Sequence, residues 1–101
     1  MIRAAIMALA ITASGPALAA KCLIVVDDQT KLSGPCQVHN GMINVTVGAT
    51  PNTYFAVLPY QGGEAFWNEE RGINHAHSPL GEVTKSGACW LGRRVRVCAW
   101  N

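Results

Sequence analysis

No C-x-x-C pair occurs in these 101 residues, and charge is scarce: 8 Lys+Arg stand against 6 Asp+Glu. Without C-x-x-C knuckles, the four cysteines suit neither a zinc ribbon nor a thioredoxin-like redox site. So balanced a charge does not suit a protein that binds by neutralising phosphates, and nucleic acid is not an expected partner. The chain also lacks internal repeats, low-complexity tracts and any convincing 3.6-residue apolar period, which argues against helical architectures. Past residue 19 no apolar run is long enough to span a membrane. What is present in quantity is apolar surface. Hydrophobic residues make up 50% of the chain, enough for one folded domain at this length and too many for global disorder.

The first 19 residues read as a secretory signal peptide. Arg3 supplies the positive start, Ala4 to Thr12 the short apolar stretch, Gly15-Pro16 the helix break and Ala17-Leu18-Ala19 the small residues of a cleavage site. Lys21 stands directly before Cys22, where a lipoprotein signal needs a small residue, so cleavage is expected after Ala19 and the domain is 20–101. Loss of Arg3 leaves 7 basic and 6 acidic side chains. Export places the protein in the periplasm or outside the cell, where oxidising conditions turn four cysteines into two disulfides.

Turn signals punctuate the rest every 8 to 12 residues or so, the spacing of an all-β domain. Strands are expected near Cys22–Asp27, Gln37–His39, Met42–Val47, Thr53–Tyr60, Glu64–Asn68, Glu82–Lys85, Ala88–Leu91 and Val95–Trp100. Asn40-Gly41 suits a type I′ hairpin turn, Pro51-Asn52 marks another turn, and residues 69–81 are expected to be irregular. The predicted fold is a small disulfide-stabilised antiparallel barrel or sandwich of about seven or eight strands. A hairpin centred on Gln29 sets Cys22 opposite Cys36 and Asp27 opposite Lys31, with Ile24, Val26 and Leu32 on the cysteine face. A second, centred between Arg93 and Arg94, sets Cys89 opposite Cys98, Trp90 opposite Val97 and Ala88 opposite Ala99. The expected bridges are therefore 22–36 and 89–98.

Few side chains look chemical. His75 and His77 are two apart, so an extended segment would aim both imidazoles to one side, with Glu69, Glu70 or His39 as a third donor. Two ligands do not complete a zinc site, and no metal or cofactor is expected. Ser33, Ser78 and Ser86 sit in turn-like contexts without a nucleophile elbow, and Ser78 neighbours His77 on the opposite side of an extended chain. The adjacent carboxylates Glu69-Glu70 and Asp27-Asp28 read as solvated turns, not as an acid and nucleophile held across a cleft. Among the aromatics, Trp90 belongs in the core, whereas Trp67 and Tyr60 border turns and are expected to be partly exposed, available for contact. Arg93, Arg94 and Arg96 gather at the last hairpin as a charged turn or a partner-contacting finger.

The stretch His75-Ala76-His77-Ser78-Pro79-Leu80-Gly81, then Gly87-Ala88-Cys89-Trp90 and Cys98-Ala99-Trp100, resembles a group of small exported bacterial proteins. They share H-A-H-x-P-L-G, G-A-C-W and C-A-W, with a G-P-C at Gly34-Pro35-Cys36. The resemblance spans most of the chain after residue 19. It implies an exported, disulfide-bonded architecture and transfers no catalytic residue. A looser likeness is to periplasmic C-type lysozyme inhibitors, small exported barrels that present a Ser-Gly loop to the lysozyme cleft. Lys85-Ser86-Gly87 is similar to that loop, but the family's following Tyr and W-x-K-G are absent here.

The sequence thus points to a binding protein of the envelope, without catalytic activity, whose partner is a protein or a glycan. His75, His77, Trp67, Arg93 and Arg94 form the expected surface. Lys85 and Ser86 serve if the protein is instead an inhibitor of a cell-wall hydrolase, and His75 and His77 serve if it binds a metal.

Overall fold

The computed structural model describes residues 20–48 and 53–100. The segment read as a signal peptide and the turn expected at Pro51-Asn52 lie outside the described residues. The described residues form eight strands: β1 Ala20–Val26, β2 Gln29–Asn40, β3 Asn44–Gly48, β4 Ala56–Pro59, β5 Gly62–Trp67, β6 Ser78–Ser86, β7 Cys89–Gly92 and β8 Val95–Trp100. Each pairs antiparallel with the next, and β1 pairs with β8, so the sheet closes into an up-and-down barrel. Closure removes the unpaired edges that an open sheet would expose. Every strand of the barrel lies between Ala20 and Trp100.

Alternation along the strands fills the interior. In β1, Cys22, Ile24 and Val26 are buried while the residues between them are not. Val45, Val47, Leu58, Leu80, Val83 and Val97 join them in one cluster with Trp67 and Trp90. An eight-stranded barrel leaves just enough room for such side chains, and two indoles need small neighbours. Ala56, fully buried, lies directly opposite Trp67 in the β4–β5 register. The Trp90 Nε1–H donates to the carbonyl of Pro59 at 2.7 Å, which satisfies the one polar atom the ring brings inside.

Both expected disulfides are present, Cys22–Cys36 and Cys89–Cys98, and no described cysteine is free. The second hairpin has the register read from sequence, with Cys89 opposite Cys98 and Trp90 opposite Val97. Because Trp90 points inward, that bridge lies on the outer face of the wall. The first hairpin differs. Its turn is Asp27-Asp28, with φ of 52° and 66°, a two-residue turn that places Val26 opposite Gln29. A bulge then sets Cys22 opposite Gly34 and Ala20 opposite Cys36. This shift of two residues keeps both cysteines on the inner face. They bridge diagonally, Cα to Cα 5.7 Å, within the core.

Three further expectations are corrected. Asn40-Gly41 is not the two-residue turn: Asn40 pairs with Val45, Gly41 N–H donates to Asn44 O at 2.8 Å, and Met42-Ile43 form the tip. Residues 69–81 are irregular only as far as His77, because β6 begins at Ser78. There Ala65 pairs with Gly81 and Phe66 with Pro79, leaving Leu80 as the extra residue of a bulge. Pro79 has no N–H to lose at such a position, Gly81 takes the positive φ of 88°, and Leu80 turns into the core. The Ser-Pro-Leu-Gly part of the sequence pattern is therefore architectural. The strand read from Thr53 starts only at Ala56, since residues 53–55 are given over to holding a loop.

Candidate functional site

Successive antiparallel strands place their connections at alternate ends of the barrel. The upper end carries the Asp27-Asp28 turn, residues 53–55, the 68–77 loop and the Arg93-Arg94 turn. The lower end carries the 41–43 loop, the 60–61 and 87–88 turns, the start of β1 and the end of β8. A shallow cleft of about 660 Å³ opens at the upper end, lined among others by Asp27, Lys31, Glu69, Glu70, His75, His77, Ser78 and Arg94. The structure thus brings together the histidine loop and one arginine of the last hairpin.

The loop from 68 to 77 is held by one buried side chain. Asn68 is 4% exposed, the only buried polar residue among those described. Its Oδ1 accepts from Phe55 N–H at 3.0 Å, while its Nδ2 donates to Thr53 O at 3.0 Å and to Ile73 O at 2.9 Å. Gly72 N–H also donates to Thr53 O, and Ile73 N–H to Glu70 O. Three of the side chain's four hydrogen-bonding positions are filled, as burial demands. Nothing in Trp67-Asn68-Glu69-Glu70 signals this in the sequence, since an Asn beside a turn is ordinarily solvated.

Glu69 follows with φ 42°, a left-handed conformation that costs a side-chain-bearing residue about 1 kcal/mol or more. Its Oε1 accepts from the Ser78 hydroxyl at 2.7 Å, closing the loop base across β6. The Ser78 hydroxyl is therefore partnered with a carboxylate, in an exposed pair. The imidazoles of His75 and His77 lie with centroids 4.2 Å apart, tilted by 30°, and both are exposed. The two-residue spacing does aim them to one side. Among the described residues, no three of His, Cys, Asp and Glu are placed to hold one metal ion.

Trp67 requires correction. It is 4% exposed, packed inside the barrel and stacked with Tyr54 at 5.6 Å between centroids, so it reaches the cleft only from beneath, as part of the lining. Its neighbour meets cations instead: Lys31 and Arg71 each lie 5.7 Å from the centre of the Tyr54 ring, at the outer limit of a cation–π contact. Tyr60 is part-exposed as expected, but at the lower end.

Arg94 is occupied within the molecule. Its Nε and terminal nitrogen each donate to one oxygen of Asp27 at 3.0 Å, its other terminal nitrogen donates to Pro79 O at 3.2 Å, and Asp27 N–H donates to Arg94 O at 2.7 Å. The guanidinium ties two turns and the base of β6 around the cleft, so Asp27 faces Arg94 and not Lys31. Arg93 and Arg96 remain exposed on the outside of the same hairpin. Lys85 and Ser86 lie at the opposite end, on the type II′ turn that Gly87 permits with φ 60°. Lys85 folds back, donating to Gly87 O at 2.7 Å with its ammonium 4.8 Å from the Trp90 ring centre.

Hydrogen bonding from Arg94, reinforced by its charge and that of Lys31, holds the Asp27 carboxyl below the usual carboxylate range despite some desolvation. A depressed folded-state pKa means that the pair stabilises the upper end above the ordinary Asp value and is lost as pH falls through the lowered one. Both groups are solvent-exposed, so the contribution to stability is small. The expected result is local: in a carbon-13 titration the Asp27 carboxyl has a midpoint below about 3.9, and Arg94→Gln returns it to that value. An unchanged midpoint in the variant would show that the pair does not persist in solution.

No family model matches this chain, and no curated protein or solved structure matches it either. Among the described residues, no helix is long and apolar enough to cross a membrane.

Proposed function

We propose that this protein is an exported binding module of the cell envelope, without catalytic activity, that takes a protein or glycan partner at the upper mouth of the barrel. The observation that carries the reading is the convergence of the 68–77 loop, the Asp27-Asp28 turn and Arg94 on one open cleft. Its lining offers donors and acceptors of both signs on a rigid frame, the make-up of a polar recognition surface. A catalytic reading finds less support, because the Ser78–Glu69 hydrogen bond lies in the open and the nearby guanidinium is committed to Asp27. Disulfides closing a small barrel suit the oxidising compartment that the first 19 residues indicate.

Residues 20–101, oxidised and labelled with nitrogen-15, should be titrated with soluble peptidoglycan fragments and neutral and acidic oligosaccharides, and with fractionated envelope proteins. Saturable shifts are expected at residues 69–78 and at Asp27, weakened about tenfold or more by His75→Ala/His77→Ala. Shifts confined to the lower end, or turnover of a ligand, would overturn the reading. A second reading, metal binding by the histidine loop, is favoured by the 4.2 Å approach of the two rings. Zinc or copper titration of the same sample decides it, since stoichiometric binding abolished in the double variant would put metal chemistry first.

A further inference from the structure

The lower end of the barrel has a different character from the upper. Met42 is 96% exposed and Ile43 74% exposed, two consecutive large apolar side chains at the tip of the β2–β3 loop. They add nothing to the core, yet the loop that carries them is braced. The Tyr60 hydroxyl donates to Gly41 O, and Gly41 N–H donates to Asn44 O at 2.8 Å. Trp100 and Tyr60, both part-exposed, lie at the same end. Lys21 is the second residue of β1 and pairs with Trp100, while Lys85 sits beside the 87–88 turn.

Charge separates along the barrel axis. Asp27, Asp28, Glu69 and Glu70 belong to the upper turns and loop, and Glu64 and Glu82 face each other partway along the wall. Among the described residues the lower end carries no carboxylate, only the two lysines and His39. It is an apolar wedge with aromatic and cationic groups set behind it.

We infer that the lower end docks this protein on the surface of an anionic phospholipid bilayer, with Met42 and Ile43 entering the boundary between headgroups and acyl chains. Tryptophan and tyrosine favour that boundary, because each has an apolar body and a polar edge. Lysines are attracted to anionic headgroups, and among the described residues no carboxylate at this end opposes that attraction. The shape also favours lipid over a folded protein partner. A stable protein interface covers roughly 800 Å² on each side, far more than a two-residue tip presents, whereas insertion into a bilayer rewards a narrow projection. The inference concerns the end opposite the cleft and stands independently of what the cleft binds.

The test is flotation of residues 20–101, oxidised, with vesicles of phosphatidylglycerol and phosphatidylcholine, compared with phosphatidylcholine alone. The protein is expected to float with the anionic vesicles and to shift the emission of Trp100 to the blue, a change missing in Trp100→Phe. Met42→Ser/Ile43→Ser should weaken partitioning about 50-fold or more, because both side chains lose their burial in lipid. Lys21→Ala and Lys85→Ala should each weaken it about fivefold at low salt. These positions are outside the core, and Lys21→Ala also avoids the contact of Lys85 with Trp90, so folding is checked simply by disulfide content and near-ultraviolet dichroism. Failure to float with anionic vesicles, equal binding by Met42→Ser/Ile43→Ser, or capture of a protein at the tip without lipid binding would each overturn the inference.

Discussion

Replacing the inner bridge by Cys22→Ala/Cys36→Ala lowers the unfolding free energy by about 3–5 kcal/mol, whereas Cys89→Ala/Cys98→Ala costs about 2–3 kcal/mol. The cross-linking contribution is similar for the two, since loops closed at separations of 14 and 9 residues differ by only a few tenths of a kcal/mol. What separates them is position. Cys22 and Cys36 are 2% and 8% exposed and belong to the interior cluster with Ile24, so removing the sulfurs leaves a void. The outer bridge stands apart from that cluster on the other face of the wall, where Cys98 is covered but Cys89 is only half-buried, so its loss empties less of the interior. A domain of about 80 residues holds roughly 4–12 kcal/mol in all, so the inner double variant approaches the limit of folding. Urea denaturation of both variants in residues 20–101 measures the difference. Equal losses would mean that both bridges act only through the unfolded chain and that the inner sulfurs contribute no packing.

The architecture was legible because a closed antiparallel barrel is written in short-range signals. Alternation in Cys22–Val26 and Val95–Val97, with turn residues between strands, gives the number and type of elements, and the cysteine faces give the bridges. Register was less legible. Asp27-Asp28 forms the turn because aspartate tolerates the left-handed region and a two-residue turn matches the strand twist. A polar run from 27 to 31 does not reveal which pair will do so. The bridge nevertheless came out right, since a shift of two residues preserves every face. Asn40-Gly41 carried the stronger hairpin signal but yielded to the paired strands on either side, which fix Asn40 opposite Val45 and push the tip outward to Met42-Ile43.

The site was read only in part, for a related reason. His75 and His77 advertise themselves by type and spacing, and their loop does line the cleft. Trp67 looked exposed because it precedes a turn, yet the alternation that buries Ala65 also buries Trp67. Arg94 looked available because arginine clusters usually are, while its partner Asp27 is 67 residues away in the chain. Contacts of that range belong to the closed barrel. No local pattern encodes them.

The same is true of Asn68, whose replacement by alanine is expected to cost about 2–4 kcal/mol and to release the 68–77 loop. Phe55 N–H and Ile73 O would lose their partner at part-buried positions, at about 1–3 kcal/mol for each group left unsatisfied. Thr53 O is less affected, because Gly72 N–H also donates to it. The carboxamide makes most of the hydrogen bonds between the chain entering β4 and the far side of the loop, so its loss should also free Glu69 to leave its left-handed conformation. Amide hydrogen exchange then separates this from general destabilisation. Protection should fall at Phe55 and through residues 69–77 well before it falls in β1 or β8, and a uniform loss across the barrel would show that Asn68 contributes to stability without positioning the loop. Asn68→Asp is the sharper variant. It keeps an acceptor for Phe55 N–H but sets a carboxylate against the carbonyls of Thr53 and Ile73, so it should release the loop at neutral pH and hold it better once protonated in acid. If partner binding at the upper mouth depends on the loop being held, both variants weaken it while leaving the histidines untouched.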